Sequence, residues 1–259
     1  RTKVLLSMSI KNILAGLTLS LLTFATATAG EETSTKFPSR LGVGVHIGFN
    51  LGGALPPAVP KPVKKVHAFR PGGAPNLGLD FSYRLSSTSP FSIATGVEYD
   101  MKYFQSTVKT ENMPIRYQND DHSEQIYSGY QSVEYANRYL TIPLGVTFDM
   151  PKGGFRFFVG GYYAHALQRK FIAKLDGDGI MDGETYLAGA VVTTDLSQML
   201  VRNDVGVRFG ADYKVDQHWA ITGRMNVGLP KLFDKSFNVM PYSLRNVFLN
   251  LGVSYRINR

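Results

Sequence analysis

The sequence predicts an all-β fold, an eight-stranded antiparallel up-and-down transmembrane β-barrel, on three observations. Eight segments alternate apolar and polar residues with a period of two. The connections between them are alternately short and long, and the polar side of the strands is crowded with Gly and other small residues. No heptad or 3.6-residue period is sustained, and beyond residue 29 no run approaches the roughly eighteen apolar residues of a membrane helix.

In the first strand, Leu41 to Leu51, every odd position is apolar and every even one is Gly, His or Asn. A strand between two unlike environments requires that pattern. The second sets Leu77, Leu79, Phe81, Tyr83 and Leu85 against Gly78, Asp80, Ser82 and Arg84. The third sets Phe91, Ile93, Val97, Tyr99, Met101 and Tyr103 against Ser92, Gly96, Glu98, Asp100 and Lys102, with Thr95 an exception on the apolar side. The fourth carries Leu140, Ile142, Leu144, Val146 and Phe148, and its Pro143 lacks a ladder donor, which predicts a bulge or locally broken pairing. The fifth, Phe155 to Leu167, alternates least cleanly, through Gly160-Gly161-Tyr162-Tyr163. The last three place Val205 to Tyr213, Trp219 to Leu229 and Val247 to Ile257 on the same pattern.

Ser86 to Pro90, Pro151 to Gly154 and Asp216 to His218 are tight polar turns, whereas Gly52 to Asn76, Gln105 to Ser132, Lys170 to Leu200 and Pro230 to Arg245 are long. Short turns at one end and long loops at the other are the topology of a bacterial outer-membrane barrel with both termini in the periplasm. The rival is a soluble eight-stranded carrier of lipocalin type, apolar inside and polar outside. Its water-facing surface would have no need of Gly42, Gly44, Gly96, Gly145, Gly206 and Gly252, which suit a tight lumen. The opposite face carries Tyr83, Tyr99, Tyr103, Tyr213, Trp219 and Tyr255 nearer the strand ends, as aromatic girdles do.

Composition agrees. The 259 residues contain no Cys, which removes disulfide scaffolds, zinc ribbons and thiol catalysis, and 44% hydrophobic residues exclude a disordered chain. The mean hydropathy of −0.09 is too low for a helical membrane bundle. Residues 1–29 hold no acid, and Lys11 is followed by a short apolar run from Ile13 to Phe24 and then Ala-x-Ala sites ending at Ala29. These parts spell a secretory signal peptide, with Met8 the better translation start. Residues 30–39 are then a short periplasmic segment, and residues 40–259 the barrel. Three of the 28 basic residues fall within the signal, so 25 bases face 20 acids and the net charge drops from +8 to +5. Export argues against a nucleic-acid partner as the reason for that basicity.

Tyr139-Leu140-Thr141-Ile142-Pro143-Leu144, Phe157-Phe158-Val159-Gly160-Gly161-Tyr162 and Asn203-Asp204-Val205-Gly206-Val207-Arg208-Phe209-Gly210-Ala211 carry a resemblance to a family. The sequence after Ser39 is similar to the PorT-type outer-membrane β-barrels of Bacteroidetes, whose architecture is OmpA-like and OmpX-like. The resemblance implies a barrel in the outer membrane and, from one line of the family, a link to protein secretion. The ending Tyr255-Arg256-Ile257-Asn258-Arg259 departs from the usual aromatic assembly signal, so recognition by the barrel-assembly machinery is an inference from class.

The candidate site is the lumen. Asp80, Arg84, Glu98, Asp100, Lys102, Asp204, Arg208, Asp212, Arg224 and Arg256 come from five strands, all on the polar face, with mixed sign. In an interior just wide enough for side chains to fill, they form either a salt-bridged plug or the lining of a narrow solute or ion pore. Arg208, flanked at two-residue spacing by Gly206 and Gly210, has room to cross toward acids such as Glu98 or Asp80.

Catalytic motifs are absent: the five His are scattered, with no H-E-x-x-H, G-x-S-x-G or phosphate-binding loop. Asp176 to Glu184 resembles a calcium loop only loosely, because EF-hand register puts Lys174 and Thr185 where ligands belong, and it reads as a Gly-rich turn. The stiff basic stretch Pro56 to His67 is either a solvated loop or a contact for lipopolysaccharide phosphates. The sequence therefore implies neither enzyme nor cofactor. It implies a structural or interaction protein whose partners are outer-membrane lipid and lipopolysaccharide, the assembly machinery during biogenesis, and secretion-system or surface partners.

Overall fold

The computed structural model describes residues 40–57, 60–116, 124–176, 178–185, 189, 191–234, 237, 239 and 242–257. The expected signal peptide and periplasmic segment lie outside them.

Among the described residues there are thirteen strands: β1 Leu41–Leu55, β2 Val63–Pro71, β3 Ala74–Arg84, β4 Phe91–Arg116, β5 Glu124–Asp149, β6 Phe155–Gln168, β7 Phe171–Asp176, β8 Ile180–Met181, β9 Glu184–Thr185, β10 Val191–Asp195, β11 Asn203–Lys214, β12 Trp219–Gly228 and β13 Arg245–Arg256. Eight of them, β1-β3-β4-β5-β6-β11-β12-β13, pair antiparallel in that order, and β13 pairs with β1 to close the ring. These are the eight strands legible in the sequence. Closure leaves no open ladder within the membrane, which hydrocarbon demands because no water is there to satisfy backbone groups.

The alternation also fixes the faces. Leu144 is 62% exposed and its inward neighbour Thr147 only 5%. Ile47 and Phe49 of β1 face out while His46 and Asn50 are buried. The apolar surface is thus on the outside, which excludes the lipocalin arrangement. Around the short-turn end the outer aromatics touch in pairs: Phe91 with Phe148 at 5.1 Å, Phe155 with Tyr213 at 5.0 Å and Trp219 with Tyr255 at 5.0 Å between ring centroids. They form the girdle at the periplasmic interface.

Glycine closes the inner wall where strands approach most tightly. Gly145 and Gly160 stand opposite each other in the β5–β6 ladder, and a Cβ on Gly160 would lie 2.3 Å from the Leu144 carbonyl oxygen and 2.5 Å from the Gly145 Cα. The sequence made β6 the least regular strand because its aromatics occupy both faces. The structure keeps the alternation, with Tyr162 buried in the lumen and its neighbour Tyr163 exposed to lipid.

Pro143 causes no bulge. The β4–β5 register is the same on both sides of it, Thr95 opposite Leu144 and Glu98 opposite Thr141, and the ladder skips the intervening pairs. The Thr95 hydroxyl donates to the Pro143 carbonyl at 2.8 Å, which gives that oxygen a partner in the broken stretch. Thr95, a hydroxyl set between the outward Ile93 and Val97 of β4, is therefore there for the proline on β5.

The remaining strands lie in the long extracellular loops. β4 and β5 run 26 residues each and rise well beyond the lipid band, where β2 pairs with β4, and β7 and β8 pair with β5. β10 extends the sheet beyond β7, and β8 with β9 forms a hairpin turning at Asp182 and Gly183, with φ of 51° and 91°. Positive φ at both positions is the two-residue turn geometry for which Asp-Gly is favoured. Asp182 also accepts from the Ile126 amide at 2.7 Å, tying the hairpin to β5.

If Leu144 faces the middle of the bilayer, Leu144→Arg will cost about 2 to 4 kcal/mol of barrel stability while Thr147→Ser costs little. Urea titration of refolded protein in lipid vesicles checks the difference, and equal tolerance contradicts it. Thr95→Val should lose about 1 kcal/mol through the Pro143 carbonyl, in the same titration, although it makes the outer face more apolar.

Candidate functional site

Along the lumen the inward positions of the eight strands form a stack of polar layers. In the middle layer Arg208, from β11, reaches Glu98 on β4, three strands away around the ring. Nη1 and Nη2 donate to the two carboxylate oxygens, the second at 2.9 Å, while Nε donates to Asn226 Oδ1 at 2.6 Å. The flanking glycines are compelled as well as permissive. A Cβ on Gly206 would strike the Val227 carbonyl and the Tyr162 ring, and one on Gly210 the Gly223 carbonyl.

Arg224 of β12 sits between Asp80, at 3.4 Å, and Glu98, at 3.5 Å. His46 completes the layer, with Nδ1 2.8 Å from Asp80 and Nε2 3.0 Å from Asn76 Oδ1. His46, Asp80 and Glu98 lie close enough together to suggest a metal centre. Arg208 and Arg224 already occupy the space in front of both carboxylates, so this donor set fits an ion-pair network and not a divalent cation.

The layer above reverses the polarity. Lys102 on β4 now supplies the cation and Asp204 on β11 the acid, at 3.1 Å. The fully buried ammonium also lies 4.7 Å from the Tyr139 ring centroid, 5.3 Å from that of Tyr162 and 5.6 Å from that of Phe248, an aromatic cage. Asp204 accepts from Tyr162 at 3.1 Å and from Asn246 at 2.9 Å, and Asn246 in turn accepts from Tyr135 at 3.0 Å. Asp100 takes Asn50 and, at 3.2 Å, Asn76, with Lys102 3.8 Å away.

Above these layers the barrel is capped by a hydrophobic cluster. Phe104 and Tyr135 from the strand extensions meet Phe171, Leu200 and Phe233 from the loops and Phe248 from β13. Outside the membrane, the Ser197 hydroxyl and amide hold the Asp195 carboxyl below its usual range, and the hydrogen bond to Glu134 raises the Lys170 ammonium.

At the periplasmic end Asp149 collects three cations: Arg84 at 3.0 Å, Arg156 at 2.8 Å and Lys214 at 3.2 Å. Asp212 and Arg256 line the cavities there, together with Arg156 and Ser254. The ten charged residues picked from sequence thus divide between a buried central stack of Asp80, Glu98, Asp100, Lys102, Asp204, Arg208 and Arg224 and a periplasmic group of Arg84, Asp212 and Arg256.

Sequence reasoning missed Asp149, Arg156 and Lys214, and the neutral members His46, Asn50, Asn76, Tyr139, Tyr162, Asn226 and Asn246. The parity that selected the charges would have found them. The other described His lie elsewhere: His67 against the Tyr130 ring, His165 on Asn203 and His218 stacked on Tyr255, and His122 lies outside the described residues.

An eight-stranded ring, apolar outside and polar within, defines an outer-membrane β-barrel. The chain belongs to the outer membrane protein beta-barrel domain family, whose model matches residues 29–234, and it is a protein of the outer membrane. No curated protein matches the sequence. Among solved structures, Ail, the attachment invasion locus protein of Yersinia pestis, is 9% identical over 85% of this chain and 100% of its own, with a TM-score of 0.34. The N-terminal β-barrel domain of Pseudomonas aeruginosa OprF is 10% identical over 85% and 100%, at 0.32. The outer membrane protease OmpT from Escherichia coli is 12% identical over 87% and 99%, at 0.30. The likeness is one of fold, and no property of those proteins follows from it.

Removing Arg208 leaves Glu98 stranded in the lumen, so Arg208→Ala should cost about 3 to 5 kcal/mol. The Arg208→Ala/Glu98→Ala double variant should cost less than the sum of the two singles, because the second change removes the stranded charge. Denaturant titration of the four proteins in detergent checks the coupling, and additive losses contradict it.

Proposed function

We propose that the chain is a plugged barrel working as a structural or interaction protein, which presents its extracellular sheet and loops to partners and conducts no solute. The observation that supports this reading is the filled lumen: two ion pairs of opposite sense, Arg208 to Glu98 and Lys102 to Asp204, join β11 to β4 under a hydrophobic cap. A conducting path would need water where these side chains pack.

The same reading makes the chain a member of the PorT-type group with a role linked to protein secretion. Its partners are then lipopolysaccharide and secretion or surface proteins at the loops, and the assembly machinery during biogenesis. The basic strand β2, with Lys64, Lys65 and Arg70, is the segment best suited by charge to phosphates of the outer leaflet. Catalysis forms no part of the proposal, since His165 faces an amide oxygen and not an acid.

Planar-bilayer recording on refolded protein tests the plug. Wild type should give no unitary current steps, and Arg208→Ala should introduce small ones. Steady, ion-selective current from wild type would overturn the plug in favour of a pore. The link to secretion is read separately, by comparing the secreted proteins of a deletion strain with those of its parent.

A further inference from the structure

The periplasmic end of the lumen holds more positive charge than its carboxylates can answer. Among the described residues Arg84, Arg156, Lys214 and Arg256 gather there, and the acids at that end are Asp149, Asp212 and, at the rim, Asp216. Asp149 is already shared by Arg84, Arg156 and Lys214. Arg256 is the remaining cation. Among the described residues its side chain makes no hydrogen bond or ion pair, and the charges acting on it are Arg156, Asp149, Arg84 and Asp212. A planar guanidinium carries five donors in a fixed fork, and a confined position without an acceptor in front of it is suited to an oxyanion.

The space in front of it is real. Arg256, Arg156, Asp212 and Ser254 line both a cavity of about 90 Å³ inside the barrel and one of about 360 Å³ at its mouth. The inner cavity exists because its walls carry little: Gly42, Gly44, Ser82, Ala94 and Ser254 leave room below the Arg208 and Arg224 layer. The outer one falls within the range of small-ligand sites and adds Lys214, Asp216, Gln217 and His218 to its polar lining. Trp219 borders it and packs on Tyr255 in the lower aromatic girdle, so the mouth opens at headgroup depth.

We propose that this vestibule binds a phosphate monoester, with Arg256 as the anchor and Arg156 and Lys214 at its sides. The three cations of the outer lining, Arg156, Lys214 and Arg256, outnumber its two acids, Asp212 and Asp216, and a guanidinium fork with an ammonium beside it is the donor set that phosphate oxygens take. A phosphorylated periplasmic solute and the headgroup of a phosphatidic-acid-like lipid in the inner leaflet offer the same chemistry at this depth.

Trp219 is the single Trp of the chain, so its fluorescence reports on the site without labelling. Refolded full-length protein in uncharged detergent is titrated at constant ionic strength with inorganic phosphate, with dihexanoyl phosphatidic acid below its micellar concentration, and with chloride. A saturable change with phosphate is expected if the ligand is a solute, and one with phosphatidic acid alone if it is a lipid. Arg256→Gln should weaken the response at least tenfold and Arg256→Lys by less, while Lys109→Gln, on the exposed far end of β4, leaves it unchanged. Unboiled gel migration confirms that each variant is folded, and the Lys variant keeps the local charge if the Gln variant does not assemble. Failure of both phosphate probes to saturate, an equal response to chloride, or identical affinity for wild type and a folded Arg256 variant would overturn the proposal. None of these outcomes bears on the plug, which is read from conductance.

Discussion

Arg208 reaching Glu98 is the interaction that the rest of the lumen arranges itself around. The carboxylate is 1% exposed, and a buried charge of that kind is tolerable only with excellent pairing. The bidentate geometry supplies the pairing, and Asn226 occupies the remaining Nε donor. Reaching across requires bare strand on either side, which Gly206 and Gly210 provide. Tyr162 and Arg224 then fill the space that side chains at those glycines would have taken. The pair thus dictates small residues on one strand and large ones on its neighbours.

The membrane imposes the polarity of everything else. Outside the ring only apolar side chains are tolerated, so polar side chains of the transmembrane segments must point inward and be satisfied there. This accounts for the reversal between layers. A cation from β11 meets an acid from β4, and higher up a cation from β4 meets an acid from β11, so the inward column of each strand mixes the two signs. It accounts also for Thr95, a hydroxyl facing outward only because Pro143 leaves a carbonyl that hydrocarbon would not solvate.

How far this was legible in sequence follows from the same physics. Period-two alternation is imposed wherever one face meets lipid, and all eight ring strands show it. It vanishes where β4 and β5 leave the membrane, and β2, β7 and β8, which pair on their extensions, and β10, which pairs beyond β7, all fall in stretches that the sequence shows as long loops. Leu200, Phe233 and Leu244 carry no periodicity, since they reach the cap from irregular segments, and only three-dimensional closure brings them, with Phe171 of β7, over Tyr135 and Phe248. The charged lumen residues could be picked because parity and charge coincide. Their partners could not be assigned, because register around a ring depends on shear, which no single strand encodes.

The two ends of the lumen are built on different principles. Toward the cell exterior, ion pairs give way to aromatic rings: Lys102 lies among Tyr139, Tyr162 and Phe248, and the cluster above is apolar. Desolvation there is complete, so each charge must find its partner within the protein. Toward the periplasm, side chains shorten to Gly, Ser and Ala, water has access, and cations outnumber acids. Charge left unmatched at that end costs far less, because solvent and mobile anions screen it. An imbalance that would be prohibitive beside Glu98 is therefore sustainable beside Arg256, and a fold that needs a sealed exterior can keep a receptive site only on its periplasmic side.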